Sequence, residues 1–373
     1  MDCAAALYRR QHCRHVCRHG KLIHRRPAIT KTIAEKAATG AQINGQSAEL
    51  ADATRAAVEW LQAARRPLVC GFGQVATGAQ RIAVGLADRL GGVADWTESR
   101  ADAAPVLAFQ QVGAVAASYG EIVDRADLIV RWSCELEEQL PGSLDTIDTV
   151  EVGSGALPLR PGADYEAIAC LRMLLADLEL DEAIVEQQTG VALGALRQLY
   201  DQMIAANYVA VVRGKAVSEG GVATVAALTQ VGQELHAHSR VAIVSPLGAG
   251  NKAGAENVMA WQTGFPMAVD FAAGYPRYRP DDCLASTLLE RGEVDVVLTF
   301  RGDEETELVI EKLADEQTIT IPIAPLKAGG GTYYRTDGIA LTLPHTSSLP
   351  EAVEVLSQIE AKLLAVQAAA VAG

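Results

Sequence analysis

Three cysteines near the start of the 373-residue chain have the residue type, and part of the spacing, of a metal or cluster site. Cys3, Cys13 and Cys17 are separated by nine and three residues, and thiolates hold both iron-sulfur clusters and structural zinc. Three thiolates do not complete a four-thiolate site, so a histidine would have to supply the fourth ligand; His12, His15, His19 and His24 lie close by. The segment is therefore either a degenerate metal site or a short arm that binds nothing.

A second candidate is the stretch from Gly248 to Cys283, which concentrates glycine, proline, arginine and large aromatic residues. Glycine reaches backbone conformations closed to other residues and proline fixes φ, so the composition predicts a folded loop region rather than one long helix or strand. A loop of this length is usually functional or covered by a partner, and the alternative is a long surface loop.

Two glycine-containing turns, Gly71-Phe72-Gly73 and Arg213-Gly214-Lys215, follow predicted strands and precede helices, which is where such sheets commonly bind phosphate. The first turn continues to Gly78, a spacing that differs from G-x-G-x-x-G, and no acidic residue follows on a second strand about 20 residues later. The spacing favours packing of the turn over binding of a nucleotide.

The elements that must position these turns are strands alternating with helices. Apolar residues recur at helical spacing from Ser47 to Arg65, and buried strands at Leu68–Gly71 and Tyr208–Val212 each precede a helix, the second at Val222–Leu235. A further unit is doubled: the apolar segments Gly120–Trp132 and Arg291–Phe300 are followed by acidic helix-prone stretches, Glu135–Gln139 and Glu304–Ala314, and then by strands Thr149–Val152 and Thr318–Ile323. This pattern predicts an α/β fold with two doubly wound parallel-sheet domains.

Charge and composition divide the chain further. The predicted units are a basic N-terminal arm at 1–32, a first α/β domain at 33–152 with 325–373 as its candidate completion, and a second α/β domain at 153–324. The formal charge of −14 argues against nucleic acid as a ligand, because phosphate neutralisation dominates that binding. No apolar run is long enough to span a membrane, and the odd count of seven cysteines is typical of a reducing cytoplasm, so we expect a soluble cytoplasmic protein.

Several longer motifs support a family resemblance. They are WQTGFPMAVDF with GYPRY at Trp261 to Tyr278, LLERGEVD at Leu288 to Asp295, ADLIV at Ala126 to Val130, GADYE at Gly162 to Glu166, and GTYYRTDG at Gly331 to Gly338. On these motifs the chain resembles the B subunit of formylmethanofuran dehydrogenase, a molybdopterin or tungstopterin oxidoreductase. It is similar also to the B subunit of the bacterial formyltransferase/hydrolase complex. The resemblance implies a molybdopterin-oxidoreductase type of fold, with the N-terminal arm as the remnant of a cluster segment.

The resemblance also implies where a metal ligand should stand. The redox enzymes hold their metal through cysteine or selenocysteine in a C-H-G-P motif, and registering on Ala108 to Gly113 places Ala101 and Asp102 where Cys-His would be. A methyl group cannot bind a soft metal. Cys17 resembles the last cluster ligand of the redox enzymes, but Cys3 and Cys13 do not reproduce the spacing of the others. We therefore expect neither a resident metal nor a pterin.

The remaining site residues resemble an inherited pterin-cleft wall: Trp261, Gln262, Asp270, Tyr275 and Arg277. The structural alternative is that the two rings bury apolar area, that Asp270 and Arg277 form an ion pair, and that the loop holds domains or a neighbouring subunit together. With the redox ligands missing, the structural alternative is favoured, because a fold can outlast its site. No catalytic constellation is evident elsewhere in the chain.

These expectations give a leading hypothesis and two rivals. The leading one is a non-redox structural subunit of a formyltransferase/hydrolase complex, which moves a formyl group from tetrahydromethanopterin through a methanofuran-type carrier and releases formate. Its expected partners are the A, C and D subunits, with C the nearest, and neither nucleic acid nor membrane. One rival is an active formylmethanofuran dehydrogenase subunit, with a molybdopterin or tungstopterin, an iron-sulfur cluster and Asp102 as the metal ligand. The other is a free-standing nucleotide-binding protein, which would be a monomer with measurable affinity for a dinucleotide.

Overall fold

The computed structural model describes residues 40–135, 147–247, 250–302 and 306–372. The predicted basic arm at 1–32, with Cys3, Cys13 and Cys17, lies outside the described residues. Most of the predicted acidic stretch Glu135–Gln139 lies outside them as well. Among the described residues, no helix is both long enough and apolar enough to cross a membrane.

Strands and helices alternate along most of this part of the chain. The strands are β1 (Gln42–Ile43), β2 (Gln46–Ser47), β3 (Pro67–Cys70), β4 (Val93–Asp95), β5 (Leu128–Trp132), β6 (Asp148–Val152), β7 (Tyr208–Arg213), β8 (Arg240–Val244), β9 (Val269–Asp270), β10 (Arg277–Tyr278), β11 (Val296–Arg301), β12 (Thr306–Lys312), β13 (Gln317–Ile323), β14 (Gly329–Tyr334) and β15 (Ala340–His345). The helices are α1 (Leu50–Ala63), α2 (Thr77–Leu90), α3 (Arg100–Val112), α4 (Tyr119–Arg125), α5 (Asp164–Leu175), α6 (Glu182–Thr189), α7 (Leu193–Ala205), α8 (Lys215–Glu219), α9 (Val222–Leu235), α10 (Lys252–Thr263), α11 (Ala285–Arg291) and α12 (Ala352–Ala372), with a short 3-10 helix at Phe72–Gln74.

The larger sheet is mixed, with a parallel centre. Its order is β10-β9-β4-β3-β11-β12-β13-β1-β2; β3 runs parallel to β4 and β11, and the outer strands pair antiparallel. All residues of β3 and β4 are buried, as expected for central strands covered by helices on both faces. The predicted doubly wound parallel sheet is therefore correct only for the centre of this sheet.

One predicted element at the flank of the larger sheet is wrong. The acidic stretch Glu304–Ala314, predicted as a helix, contains strand β12, which pairs antiparallel with both β11 and β13. Leu308 and Ile310 are fully buried on this strand, while Glu307 and Glu311 are only partly buried. The middle of the strand, Leu308 to Ile310, is continuously buried, and pairing with β11 and β13 outweighs the helix propensity of its acidic residues.

The smaller sheet is parallel throughout, in the order β6-β5-β7-β8. Strand β7 and helix α9 fall where the sequence predicts them, at Tyr208–Arg213 and Val222–Leu235. This sheet matches the doubly wound prediction, because continuous apolar strands are covered by helices on both faces.

The two sheets do not follow the predicted ranges 33–152 and 153–324. Strands β5 and β6 precede residue 153 but pair with β7, and β11 to β13 pair with β3 although they follow residue 153. The larger sheet is thus assembled from both ends of the chain, because β11 returns beside β3. Helix α12 packs against α1 and α2, and its apolar face joins the core of the larger sheet.

Helix α3 belongs to the cores of both sheets. Ala103 and Val106 pack into the core of the larger sheet, whereas Ala104 and Ala108 pack into that of the smaller one. The two pairs lie on different faces of the helix, since residues three or four apart share a face. Any group at the start of α3 therefore lies where the two sheets meet.

Candidate functional site

The backbone of the turn after β3 lies very close to the backbone of β11. Gly71 has a φ of 68°, and a Cβ there would lie 2.6 Å from Thr299 Oγ1 and 3.0 Å from the Phe300 carbonyl oxygen. Glycine is required both by the left-handed conformation and by this contact with β11. The predicted packing role of the turn accounts for Gly71 without a nucleotide.

The predicted metal-ligand position lies in the first turn of α3. Ser99 caps the helix by accepting a hydrogen bond from the Asp102 amide at 3.4 Å. Asp102 Oδ2 in turn accepts from the Glu98 amide at 3.1 Å and from Ser99 Oγ at 3.3 Å. Ala101, beside it, offers only a methyl group. The reciprocal bonds are those of a capped helix start, in which an acidic side chain also suits the positive end of the helix dipole.

The other oxygen of Asp102 forms an ion pair with Lys252, a residue that no sequence motif marks as part of a site. Lys252 Nζ lies 2.8 Å from Asp102 Oδ1 and 3.6 Å from Glu98 Oε2. Glu98 Oε1 accepts a further hydrogen bond from Gln74 Nε2 at 2.9 Å. Burial lowers the pKa of Lys252, but the hydrogen bond to Asp102 and the charge of Glu98 outweigh it, and the net pKa is raised. Lys252 is therefore a firmly held ammonium rather than a free amine.

This arrangement does not fit a molybdenum or tungsten ligand. The side chain of Ala101 has no donor atom, and both oxygens of Asp102 already accept hydrogen bonds, one of them from an ammonium. In the part of the chain that the structure describes, no three His, Cys, Asp or Glu side chains converge so as to hold a metal ion. A non-cysteine ligand at Asp102 would have to displace Lys252.

The buried amide of Asn251, next to Lys252, fixes the start of α10. Its Nδ2 donates to the Val75 carbonyl at 3.1 Å, and its Oδ1 accepts from the Tyr334 amide at 2.8 Å. The backbone of Asn251 accepts from Gln80 Nε2 at 2.9 Å. These bonds tie α10 to the turn after β3 and to the β14–β15 hairpin. They hold Lys252 in place, because it is the next residue along the chain.

Strand β7 ends at the half-buried Arg213. The Arg213 guanidinium donates to Ser245 Oγ at 2.7 Å. Burial lowers the pKa of Arg213 to about 10, although the charge of Glu256 opposes the shift. Burial likewise raises the pKa of Glu256, and Arg213 opposes that shift. Glu256 lies one helical turn after Lys252, on the same face of α10.

The GADYE motif lines a cavity at the carboxyl edge of the smaller sheet. The cavity has a volume of about 440 Å³ and is bordered by Gly162, Asp164, Tyr165, Glu166, Ala216, Glu219, Gly220, Ala223 and Thr224. Asp164 is buried and accepts hydrogen bonds from Trp132 Nε1 at 3.0 Å and from Ser133 Oγ. Those bonds orient the carboxylate, which makes the motif a structural part of this edge.

The five predicted cleft-wall residues lie in two separate places. Trp261 and Tyr275 are 60% and 59% exposed, so their rings bury little apolar area within this chain. Trp261 meets the Tyr334 ring edge-on, with centroids 6.0 Å apart, and Gln262 donates to the Arg81 carbonyl at 3.2 Å. Within the described ranges no hydrogen bond or ring contact joins these two residues to Asp270, Tyr275 or Arg277.

The proposed ion pair of Asp270 also has a different partner. Asp270 is buried, and its Oδ2 lies 3.5 Å from Arg279 Nη1, whereas Arg277 stands opposite Asp270 in the β9–β10 register and is exposed. The ion pair expected between Asp270 and Arg277 is therefore wrong, because Asp270 pairs with Arg279. The predicted loop from Gly248 to Cys283 is corrected as well, because α10 occupies Lys252–Thr263.

The cysteines among the described residues are not placed to act as ligands at Asp102. Cys70, Cys170 and Cys283 are buried in apolar surroundings, as predicted, and burial raises the pKa of the Cys70 thiol to about 12. A thiol in such an environment is inert as a nucleophile and as a ligand.

The structure is a mixed α/β protein in which turns and charged side chains gather at the carboxyl ends of parallel strands, the edge at which open α/β sheets commonly bind ligands. No protein-family model matches the chain. The chain is homologous to the B subunit of tungsten-containing formylmethanofuran dehydrogenase 2. The protein of Methanocaldococcus jannaschii is 26% identical over 340 residues, covering 79% of this chain and 78% of its own. That of Methanococcus maripaludis is 24% identical over 346 residues, covering 80% and 79%.

A solved structure has the same fold. In the crystal structure of the formyltransferase/hydrolase complex (FhcABCD) from Methylorubrum extorquens with methylofuran, one chain superposes with a TM-score of 0.70. The match covers 88% of this chain and 100% of that one, at 19% sequence identity.

Proposed function

We propose that the chain is a non-redox structural subunit, of the B type, in a formyltransferase/hydrolase complex. Such a complex moves a formyl group from tetrahydromethanopterin through a methanofuran-type carrier and releases formate. The fold shared with a chain of the FhcABCD complex and the homology to the formylmethanofuran dehydrogenase proteins support this assignment.

One observation carries the non-redox part of the proposal. At the start of α3, where the resemblance implies a metal ligand, there is a methyl group and a carboxylate bonded to Lys252 at 2.8 Å. A lysine ammonium and a metal ion compete for the same oxygen, so this position favours an ion pair over metal ligation. The chain then contributes shape and contacts, while the chemistry lies on other subunits.

The remaining parts of the proposal follow from the resemblance. The partners are the A, C and D subunits, with C the nearest, and the methanofuran-type carrier lies on the complex rather than on this chain. The fold is of the molybdopterin-oxidoreductase type, the arm at 1–32 is the remnant of a cluster segment, and no pterin or cluster is retained. The protein works in the cytoplasm.

The alternative is an active B subunit of formylmethanofuran dehydrogenase, which the homology to two tungsten-containing enzymes favours. In that case the chain would hold a tungstopterin or molybdopterin and an iron-sulfur cluster. The protein would have to bind the metal through a group other than the residue at Ala101.

Metal and phosphorus analysis of the purified complex distinguishes the two. The structural role predicts molybdenum and tungsten far below stoichiometry, with phosphorus at background. About one atom of either metal per chain, the stoichiometry of a working cofactor, would overturn the proposal. The same preparation also tests assembly, since the partner subunits should co-purify with the chain.

A further inference from the structure

We propose that α10 is an electrostatic strut, which Lys252 ties to α3, the helix that packs into the cores of both sheets. At the first turn of α10, Lys252 forms ion pairs with the carboxylates of Asp102 and Glu98. This inference deepens the proposed non-redox function and rests on it.

Geometry at the Lys252 end supports a built ion pair. Lys252 and Asp102 are 33% and 20% exposed, and their charged atoms are 2.8 Å apart although 150 positions separate them in the chain. The Asp102 carboxylate also accepts a hydrogen bond from the Glu98 amide, so its position does not depend on Lys252 alone. A preorganised, partly buried pair loses less side-chain entropy than a surface pair and is screened less by salt.

The strut connects elements from different parts of the fold. Helix α3 packs into both cores, so anchoring its first turn anchors the junction of the sheets. Helix α10 itself packs on α2 and on the β14–β15 hairpin. Through the Lys252–Asp102 ion pair, α10 is thus joined to a helix that also packs in the core of the smaller sheet.

The two neighbouring carboxylates explain why a lysine suits this position. Without a cation, Asp102 and Glu98 would be two carboxylates close together in a half-buried site, which costs free energy through desolvation and mutual repulsion. Lys252 supplies the positive charge locally. Removing it should therefore destabilise the junction more than the loss of an exposed ion pair does.

The experiment is a double-mutant cycle on the complex purified with its partner subunits, with Lys252→Met, Asp102→Asn and the double variant. Lys252→Met should lower Tm by about 3 °C and raise amide hydrogen exchange in the first turn of α3 about tenfold. The double variant should lose less than the sum of the two single variants. Lys252→Arg, which keeps the charge, should recover most of the loss.

The matched control is Arg55→Met, because the charged atoms of Arg55 and Asp52 are 2.7 Å apart, close to the distance in the Lys252–Asp102 pair, but the two side chains are 68% and 49% exposed. It should change Tm by less than about 1 °C. The proposal would be contradicted if the Tm losses of the two single variants added up to that of the double variant. It would also be contradicted if Lys252→Met lowered Tm no more than Arg55→Met does.

Metal analysis of the same samples separates this inference from the proposed function. If metal is absent but the cycle shows no coupling, the strut is wrong and the non-redox role stands. If molybdenum or tungsten is present at one per chain, the non-redox role fails, and any coupling in the cycle would describe a contact that coexists with a cofactor.

Discussion

At the scale of single residues, the start of α3 holds a structural arrangement where the resemblance implies a metal ligand. Ala101 has no donor atom, and Asp102 is bound to Lys252 and to the helix cap. An ion pair and two hydrogen bonds hold its carboxylate in place. Restoring one donor atom does not restore the electrostatics of the position.

Ala101→Cys should therefore create no redox activity. The new thiol would stand beside the Lys252–Asp102 pair. Reduction of methyl viologen by formate or by the formylated carrier should stay at background, with Ala101→Ser as the control for a change of size and polarity. Viologen reduction that depends on the cysteine and not on the serine would contradict the non-redox role.

Asp95 is the buried carboxyl with the clearest consequence for pH. Its oxygens accept hydrogen bonds from Thr97 Oγ1 at 2.5 Å and from the amides of Ala268 and Ala285 at 3.2 and 2.7 Å. Burial nevertheless raises the pKa from 3.8 to about 6, against the opposing effect of these bonds. The folded state therefore binds the proton more tightly than the unfolded chain does. The stability linked to this group is present below about pH 4 and is lost as the pH rises to about 6.

Asp95→Asn should remove this pH dependence. Between pH 4 and 6 the free energy of unfolding of the wild type should fall relative to the variant, with a slope of at most about 1.4 kcal/mol per pH unit. At fixed pH the variant should be less stable by about 1–3 kcal/mol, since an amide cannot accept all of the donors that surround Asp95. Urea unfolding at several pH values measures both effects. Parallel profiles for the two proteins would show that Asp95 does not titrate in this range.

At the scale of elements, Gly214 sets the distance between the ends of β5 and β7. A Cβ at Gly214 would overlap the Ser133 carbonyl, although its φ of −68° is open to any residue. Gly214→Ala should therefore lower stability by about 1–3 kcal/mol through overpacking, measured as a fall in Tm. Gly194→Ala is the control, because a Cβ on this α7 residue meets nothing within 4 Å and should leave Tm unchanged or slightly higher. Equal melting temperatures for both variants would contradict the steric role.

Elements with a strong local signal were predictable from the sequence, and those decided by distant partners were not. Helix α9 and strand β7 follow from a continuous apolar run and a glycine cluster. Strand β12 has acidic residues that favour a helix, but its neighbours β11 and β13 make it a strand. The order in the larger sheet was missed because β11 pairs with β3 across more than 220 residues of intervening chain.

The candidate site was predictable only in part for the same reason. The family register singled out Ala101 and Asp102 as a candidate, but nothing near Lys252 in the sequence indicates an ion pair with a residue 150 positions earlier. The only local signal was a lysine within a glycine-rich segment. Asp270 was recognised as a paired carboxylate, yet its partner is Arg279 rather than Arg277, because a short hairpin sets which arginine faces inward.

At the scale of the whole molecule, the described surface leaves large rings exposed beside the strut. Trp261 lies on α10 and is 60% exposed, with one edge contact to Tyr334. Burial of an exposed tryptophan is a common source of binding energy at interfaces, whereas its present contacts contribute little to folding. In the proposed complex we therefore expect Trp261 to stabilise assembly rather than the chain itself.

Trp261→Ala tests that expectation with two readouts. The Tm of the chain should change by less than about 2 °C, because the mutation removes mainly exposed surface and one ring contact. The affinity for partner subunits, measured by titration or by recovery in co-purification, should fall at least about tenfold. Gln262→Ala is the matched control on the neighbouring position and should affect neither readout strongly, since it removes one exposed hydrogen bond to the Arg81 carbonyl. Unchanged assembly together with lost hydrolase activity of the complex would instead assign Trp261 to a substrate pocket.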